Sequence, residues 1–302
     1  MPTARPFNIA VFTKNRLNPA YQAARLGAKR TAEHFGATTT DYVPEHPDNV
    51  QEQIALIEQA LLARPDAVVL VPVHDTAIDA SIRKINAAGI PVINCINRIG
   101  FPEGYACFVG SDDYRIAQEV AVRLFDALDG HGDVVIIEGP SGAVTASARQ
   151  RGFLDAARAY EGIRVVASRP GAFLHDEARQ AMRQLLLELP TIDGVLAGND
   201  SMALGAIEAL EEADRKSLVV GVNAIPAAVA ALRTGQLLAT ADFDAYKMAC
   251  VAAEAAVRVL RGLPVPKEIS LPVQIVDASN CAAWDGPIED REPPAWASVV
   301  GD

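Results

Sequence analysis

The chain is short of positive charge. Its 302 residues hold 27 Lys and Arg against 38 Asp and Glu, a formal net charge of -11 at pH 7. The basic residues are scattered along stretches that read as helices. A nucleic-acid surface gathers them into a patch to meet phosphates, so no nucleic-acid partner is expected. Cysteine is also scarce, with four residues and no CxxC pair. Neither a zinc site nor a dithiol redox centre is suggested. Cys95, Cys107 and Cys250 lie in apolar runs and read as small buried hydrophobes. There is no apolar run of the roughly 18 residues that a membrane-spanning helix needs. The N-terminal Met1-Pro2-Thr3-Ala4-Arg5-Pro6 leads straight into a strand, without a signal-peptide apolar segment. Either the protein is cytoplasmic or a leader has been removed. Also missing are a Gly-x-Ser-x-Gly elbow, a GxxxxGK phosphate loop, a GxGxxG fingerprint and an HExxH pair. No catalytic residue, metal or cofactor is therefore expected. Asp112 and Asp242 are the carboxylate pair that comes into question, but acid–base work needs a geometry that spacing does not supply.

What is present is apolar residue in quantity. Half the chain is hydrophobic and 22% is charged, the balance of a packed globular protein. The length suggests two domains or one large one. Short apolar strands alternate with amphipathic helices, the pattern of a parallel sheet covered by helices. Strands are expected at 8–13, 38–43, 67–71, from 91, and in a run ending at Val109. Helices are expected at 19–34, 49–62 and 77–88. The order then begins again. Strands fall at 133–138, 163–167, 194–197 and 218–222, with helices at about 145–160, 177–189 and 201–212. Two stretches repeat in detail. Pro65 to Leu70 is followed by Asp75, Ala77, Ile78 and Ile82; Pro190 to Leu196 is followed by Asp200, Ala203, Leu204 and Ile207. Asp75 and Asp200 read as helix N-caps.

The repeat implies two similar Rossmann-like α/β lobes, each a parallel sheet flanked by helices. The last sixty residues offer a strand at 237–242, a helix at 245–260 and a further strand at 270–276. They complete both sheets, so the chain must cross between lobes at a three-crossing hinge near Ser111, Asp242 and Leu271. The N-terminal lobe is 7–111 plus 244–271. The C-terminal lobe is 112–242 plus 272–282. Residues 283–302, with three prolines and acidic groups, read as a surface tail.

In open α/β sheets ligands sit beyond the carboxyl ends of the strands. The loops there carry Lys14, Asn18 and Tyr21, then His74 and Asp75, then Asn97 and Arg98, then Ser111, Asp112 and Asp113. In the second lobe they carry Ser141, Thr145 and Arg149, then Phe173, then Asn199 and Asp200, then Asn223, then Asp242 and Phe243. Planar amide, carboxylate and guanidinium groups pair well with hydroxyls. An aromatic ring packs on the C–H face of a sugar. Taken singly, most of these residues read as caps, turn formers or core. Two lobes presenting the same chemistry at equivalent loops point to a small polyhydroxylated ligand between them.

At these loops the sequence resembles the periplasmic sugar-binding proteins of the ribose-binding type, solute receptors for ABC importers. The resemblance runs from about Asn8 to about Val276. It is carried by Leu17-Asn18-Pro19-Ala20-Tyr21, by Gly89-Ile90-Pro91-Val92-Ile93 on to Asn97-Arg98, and by Gly110-Ser111-Asp112. In the second lobe it is carried by Ala148-Arg149-Gln150-Arg151-Gly152-Phe153, Gly198 to Ala206, and Val220-Gly221-Val222-Asn223. It implies a type I periplasmic-binding-protein fold, shared with the sugar-responsive repressors, and hinge closure on ligand. By resemblance Asn18, Arg98, Arg149 and Asn199 hydrogen-bond ligand hydroxyls, and Tyr21 and Phe173 stack on the ligand. Asn97 and Asn223 stand where the family often has Asp, Val71 where ribose binders carry a polar contact, and Asp242-Phe243 where a glutamine is expected. These departures point away from plain ribose toward another pentose, a polyol or a modified sugar. Arg98, Arg149 and Lys14 leave room for an anionic one. The expected partner is a membrane ABC permease, the expected state a monomer. The expected location is periplasmic, or extracellular and lipid-anchored, after loss of a leader. The alternative is the ligand-binding domain of a transcriptional regulator or membrane sensor.

Overall fold

The computed structural model describes residues 5–300. Met1–Ala4, part of the stretch read for a leader, and Gly301–Asp302, the end of the expected tail, lie outside the described residues. The chain divides into two compact units. The first takes the chain up to Ser111, then Asp244–Leu271, then the chain from Pro287 on. The second is Asp112–Phe243 with Pro272–Gly286. Beyond the three expected passages, the chain therefore returns once more to the first unit after Gly286.

The first unit is built on β1 (Asn8–Phe12), β2 (Thr38–Tyr42), β3 (Ala67–Leu70), β4 (Val92–Cys95), β5 (Cys107–Gly110) and β11 (Glu268–Ser270). They lie side by side as β2-β1-β3-β4-β5-β11, all parallel. β3, β4 and β5 are buried throughout, and all but Asn94 of β4 are apolar or glycine, as strands covered on both faces require. The covering helices are α1 (Pro19–His34), α2 (Val50–Ala63), α3 (Asp79–Ala87) and α9 (Ala245–Leu260). Phe12, Ile57, Ile82 and Ile85 fill the core beneath α2 and α3, each contributing about 2 kcal/mol by burial. On the other face α1 packs against α9 at Gly27, where a Cβ would lie 2.5 Å from the Tyr246 carbonyl oxygen.

The second unit repeats the plan with β6 (His131–Glu138), β7 (Gly162–Pro170), β8 (Gly194–Ala197), β9 (Leu218–Val222), β10 (Ala239–Asp242) and β12 (Gln274–Asp277). Their order is β7-β6-β8-β9-β10-β12, parallel except for β12, which runs antiparallel to β10 at the edge. Its helices are α4 (Asp113–Ala127), α5 (Val144–Arg158), α6 (His175–Glu188), α7 (Asp200–Glu212) and α8 (Pro226–Thr234). A short α10 (Trp296–Val300) closes the described chain on the first unit. The strand order of both sheets reverses at the same place, between β1 and β3 and between β6 and β8. A doubly wound sheet opens a crevice there.

Four details depart from the sequence reading. α4 and α8 were not anticipated. Ile116, Ala117, Val120, Ala121, Leu124 and Phe125 form the buried stripe of α4, and Asp112 caps it by accepting from the Tyr114 and Arg115 amides. The expected strand at 270–276 is two strands, β11 and β12. Leu271, Pro272 and Val273 separate them because the chain changes unit there, and Pro272 has no N–H for a ladder. Asp75 does not cap α3. The His74 Nδ1 accepts from the Thr76 and Ala77 amides, which folds 74–78 into a turn and delays the helix to Asp79. Asp200 does not cap α7 either. Asn199 does, and Asp200 is the fully buried first residue of the helix.

Candidate functional site

In the first unit the polar residues gather around the loop after β1. Asn15 organises it: its Oδ1 accepts the Asn18 amide at 2.9 Å, and its Nδ2 donates to Asp48 Oδ1 at 3.2 Å. Asn18 then caps α1 by accepting from the Ala20 amide at 3.0 Å. Lys14 faces the same Asp48 at 3.7 Å, and Tyr21 is buried in the first turn of α1. Two fully buried amides brace the neighbouring loops. Gln53 donates to the Val71 carbonyl and accepts from the Val73 amide. Asn94 donates to the carbonyls of Leu70 and Asn97 and accepts from the Ile99 amide. Asn97 is thereby placed through its backbone. Arg98 turns elsewhere. Its guanidinium lies over the Phe108 ring, 3.8 Å from the centroid, and donates to Glu268 at 2.5 Å and to the Tyr105 hydroxyl at 3.2 Å.

The second unit centres on Arg149. α5 meets α4 at Gly152, where a Cβ would stand 2.4 Å from the Tyr114 carbonyl oxygen. Only glycine permits that approach, and it carries Arg149, one turn earlier, to the start of α4. There Nε and one terminal nitrogen donate to Asp113 Oδ1 at 2.9 and 2.8 Å, and the other donates to the Gly198 carbonyl at 2.7 Å. The guanidinium carbon lies 6.0 Å from the centroid of the Phe173 ring and 5.8 Å from that of Phe243. A fixed cation flanked by two aromatic rings suits a small molecule with hydroxyls on its rim and C–H faces. Gly152→Ala should destabilise the second unit by about 2 kcal/mol, the usual cost of overpacking. Urea unfolding of the variant measures this.

Asn199 is committed to the fold on two sides. Its Oδ1 accepts from the Met202 amide at 2.9 Å and its Nδ2 donates to the Phe173 carbonyl at 3.1 Å. Phe173 and Ala172 both take positive φ, 60° and 52°, and the Phe173 ring lies where a Cβ on Gly139 would collide with it. Asn223 has φ 122° and Ala224 φ 51°. Two buried groups hold that turn: the Ala224 amide donates to the Thr240 hydroxyl, and the Ile225 amide to Asp200 Oδ2 at 2.9 Å. The Thr240 hydroxyl in turn donates to Asp200 Oδ1 at 2.6 Å. Burial raises the Asp200 carboxyl to about 6, against the opposing pull of these two hydrogen bonds. Ile96, after β4, has φ 62°. A β-branched residue adopts this only when its surroundings impose it. Such strained backbone at the carboxyl ends of β4, β7 and β9 is of the kind found at ligand sites. Asp242, at the end of β10, accepts the Trp284 indole N–H at 2.7 Å.

Comparison with known proteins decides the family. Residues 9–264 match the periplasmic binding protein domain. The chain belongs to the periplasmic binding protein family. It is 32% identical to the D-ribose/D-allose-binding protein of Pseudomonas aeruginosa, over 89% of this chain and 88% of that one. It is 31% identical to the D-apiose import binding protein of Actinobacillus succinogenes, over 70% of this chain and 68% of that one. The fold superposes with TM-score 0.88 on an ABC transporter periplasmic solute-binding protein of Actinobacillus succinogenes solved with bound D-allose. That match has 28% identity and covers 92% of this chain and 99% of the other. Fold class and family accord with the reading of the loops.

Within this periplasmic binding protein, the polar residues proposed from the loops fall at the carboxyl edge of one sheet or the other, as their positions after strands require. Arg98 starts from that edge, but its guanidinium is spent on Glu268, Tyr105 and Phe108. Asp48, Thr240 and Trp284 were not among the polar groups read in the loops, whereas Asp113 and Asp200 were read there without a binding role. Trp284 and Thr240 had no signal, because their partners lie forty residues away in the chain. Among the described residues, no three His, Cys, Asp or Glu side chains are grouped to hold a metal ion, and no helix is long and apolar enough to cross a membrane.

Proposed function

We propose that this protein captures a small sugar or polyol and delivers it to the permease of an ABC importer. The observation that carries the reading is Arg149. Its guanidinium is oriented by Asp113 and the Gly198 carbonyl and flanked by Phe173 and Phe243, and Asn223 and Asp242 follow neighbouring strands of the same sheet. Names of the relatives, which refer to ribose, allose and apiose, support the ligand class. Lys14, Asn18, Tyr21 and Asn97 are the proposed contacts from the first unit. Arg98 is proposed with them, and it reaches a ligand only by leaving Glu268. Asn97 and Asn223 present amides, which donate as well as accept, so the hydroxyl pattern they select differs from that of a carboxylate. The role is binding without catalysis, as a monomer, in the periplasm or lipid-anchored outside the cell. Ligand shifts the protein toward the conformation that binds it, and the permease reads that state.

A thermal-shift screen against pentoses, hexoses, tetritols, pentitols and sugar acids tests the reading. At a hundred times its dissociation constant, a ligand that binds only the folded protein adds about 2.7 kcal/mol of stability. One compound class is expected to raise the melting temperature. Silence from every sugar and polyol overturns the reading.

A further inference from the structure

We propose that Trp284 is a positioning residue for sugar binding, its indole N–H holding the Asp242 carboxylate in the orientation the ligand meets. The inference rests on the reading of Asp242 as a ligand contact. Trp284 falls in the stretch that reads from sequence as a surface tail. The structure instead gives that stretch a structured start. A single 3-10 turn, Cys281–Trp284, follows β12 and packs against α8, with Cys281 buried. Trp284 lies on the apolar cluster of the second unit, on which Phe173 and Ala224 also pack. Both belong to strained loops that carry proposed contacts.

Indole nitrogen donates and never accepts, so its partner must be an acceptor. Here that partner is Asp242 Oδ2 at 2.7 Å, a charge-assisted bond at the short end of the normal range. Asp242 is only 7% exposed. A polar group this buried needs hydrogen-bond partners. It is also held from below, because Asp242 ends β10 opposite Gln274 of β12, seven residues before the turn that carries Trp284 begins. The edge strand and the turn after it thus aim one carboxylate. Phe243 next to it flanks Arg149, so the plane of Asp242 sets which hydroxyl can be read beside the ring. The chain has two tryptophans, Trp284 and Trp296. Trp296 lies in the other unit under the Arg258 guanidinium, which makes Trp284 a distinct optical reporter of this carboxylate.

The probes are D-ribose, D-allose and D-apiose, titrated by calorimetry, with fluorescence in parallel. Trp284→Phe keeps a ring on the apolar cluster and removes the N–H. It is expected to weaken the probe that binds best about tenfold, the worth of one charge-assisted hydrogen bond. Asp242→Asn should weaken binding too, and the double variant should cost no more than Asp242→Asn alone, because both changes break one linkage. A Trp packed only for stability would shift the melting temperature and leave that non-additivity absent. In Trp296→Phe, whose remaining tryptophan is Trp284, saturating probe should shift the emission. This arm reads the linkage even if Trp284→Phe folds poorly. Wild-type affinity in Trp284→Phe, or unchanged emission in Trp296→Phe under saturating probe, overturns the proposal while the sugar reading stands. Wild-type protein that binds none of the three probes removes the ligand role of Asp242 for these sugars, and the proposal with it.

Discussion

Arg149→Lys should weaken ligand binding about a hundredfold, equivalent to about 2.7 kcal/mol, although it preserves the charge. A guanidinium presents its N–H groups in a fixed planar fork, whereas an ammonium is a single point on a flexible stem. Arg149 uses the fork fully: one edge is on Asp113 Oδ1 and another donor is on the Gly198 carbonyl. A lysine does not present two such donors in a fixed plane, and its point charge meets the rings of Phe173 and Phe243 differently. Arg149 is also 5% exposed, so the replacement charge would have to find new partners out of water. Arg149→Ala should lose at least as much affinity and about 3 kcal/mol of stability, the cost of breaking a buried ion pair. Calorimetric titration with the compound found in the screen, beside urea unfolding, separates the two effects. Affinity within threefold of wild type in Arg149→Lys would remove Arg149 from the ligand contacts.

The second large effect concerns Asp200 and acidity. Its carboxyl is raised to about 6 in the folded protein, from 3.8 as the ordinary value, because burial disfavours the charge more than Thr240 and Ile225 favour it. The sign follows from linkage. A carboxyl with a raised folded value binds its proton more tightly folded than unfolded. It therefore contributes stability below pH 3.8, and that contribution is lost as the pH rises through 6. The shift corresponds to about 3 kcal/mol. Asp200→Asn keeps the shape, accepts from the Ile225 amide, and cannot ionise. The stability of the variant relative to wild type should therefore rise by about 2.4 kcal/mol between pH 4 and pH 7. Urea unfolding at a series of pH values reads this difference directly, because the other carboxylates are common to both proteins. A flat difference would mean that Asp200 titrates normally. The same group holds the Asn223 turn, so protonation at pH 5 acts on a proposed ligand loop as well as on stability.

Arg149, Asn199, Asn223 and Asp242 were legible as candidates because each follows a strand, and ligand sites of doubly wound sheets lie there. What those residues do was not legible. Asn199 spends its amide on Met202 and Phe173, and Arg98 is paired with Glu268 from an edge strand 170 residues away. Neither partnership has a local signal, since hydrogen bonds between distant segments leave no periodicity in the chain. The missed α4 is different. Its stripe was present in the residues from Ile116 to Phe125 and simply opens the second unit before its first strand.

By itself, the sequence determined the alternation of strand and helix, the repeat of one plan, and the absence of basic patches and catalytic motifs. These are properties of local pattern, because the 2.0 and 3.6 periodicities record which face of each element is buried. Tertiary structure alone decided that the stretch 268–277 splits between two sheets, that Gly152 sets Arg149 beside Asp113, and that Trp284 reaches Asp242. Each depends on close approach of segments far apart in the chain. Such approach is a matter of packing and of where buried polar groups find partners, and no single segment encodes it.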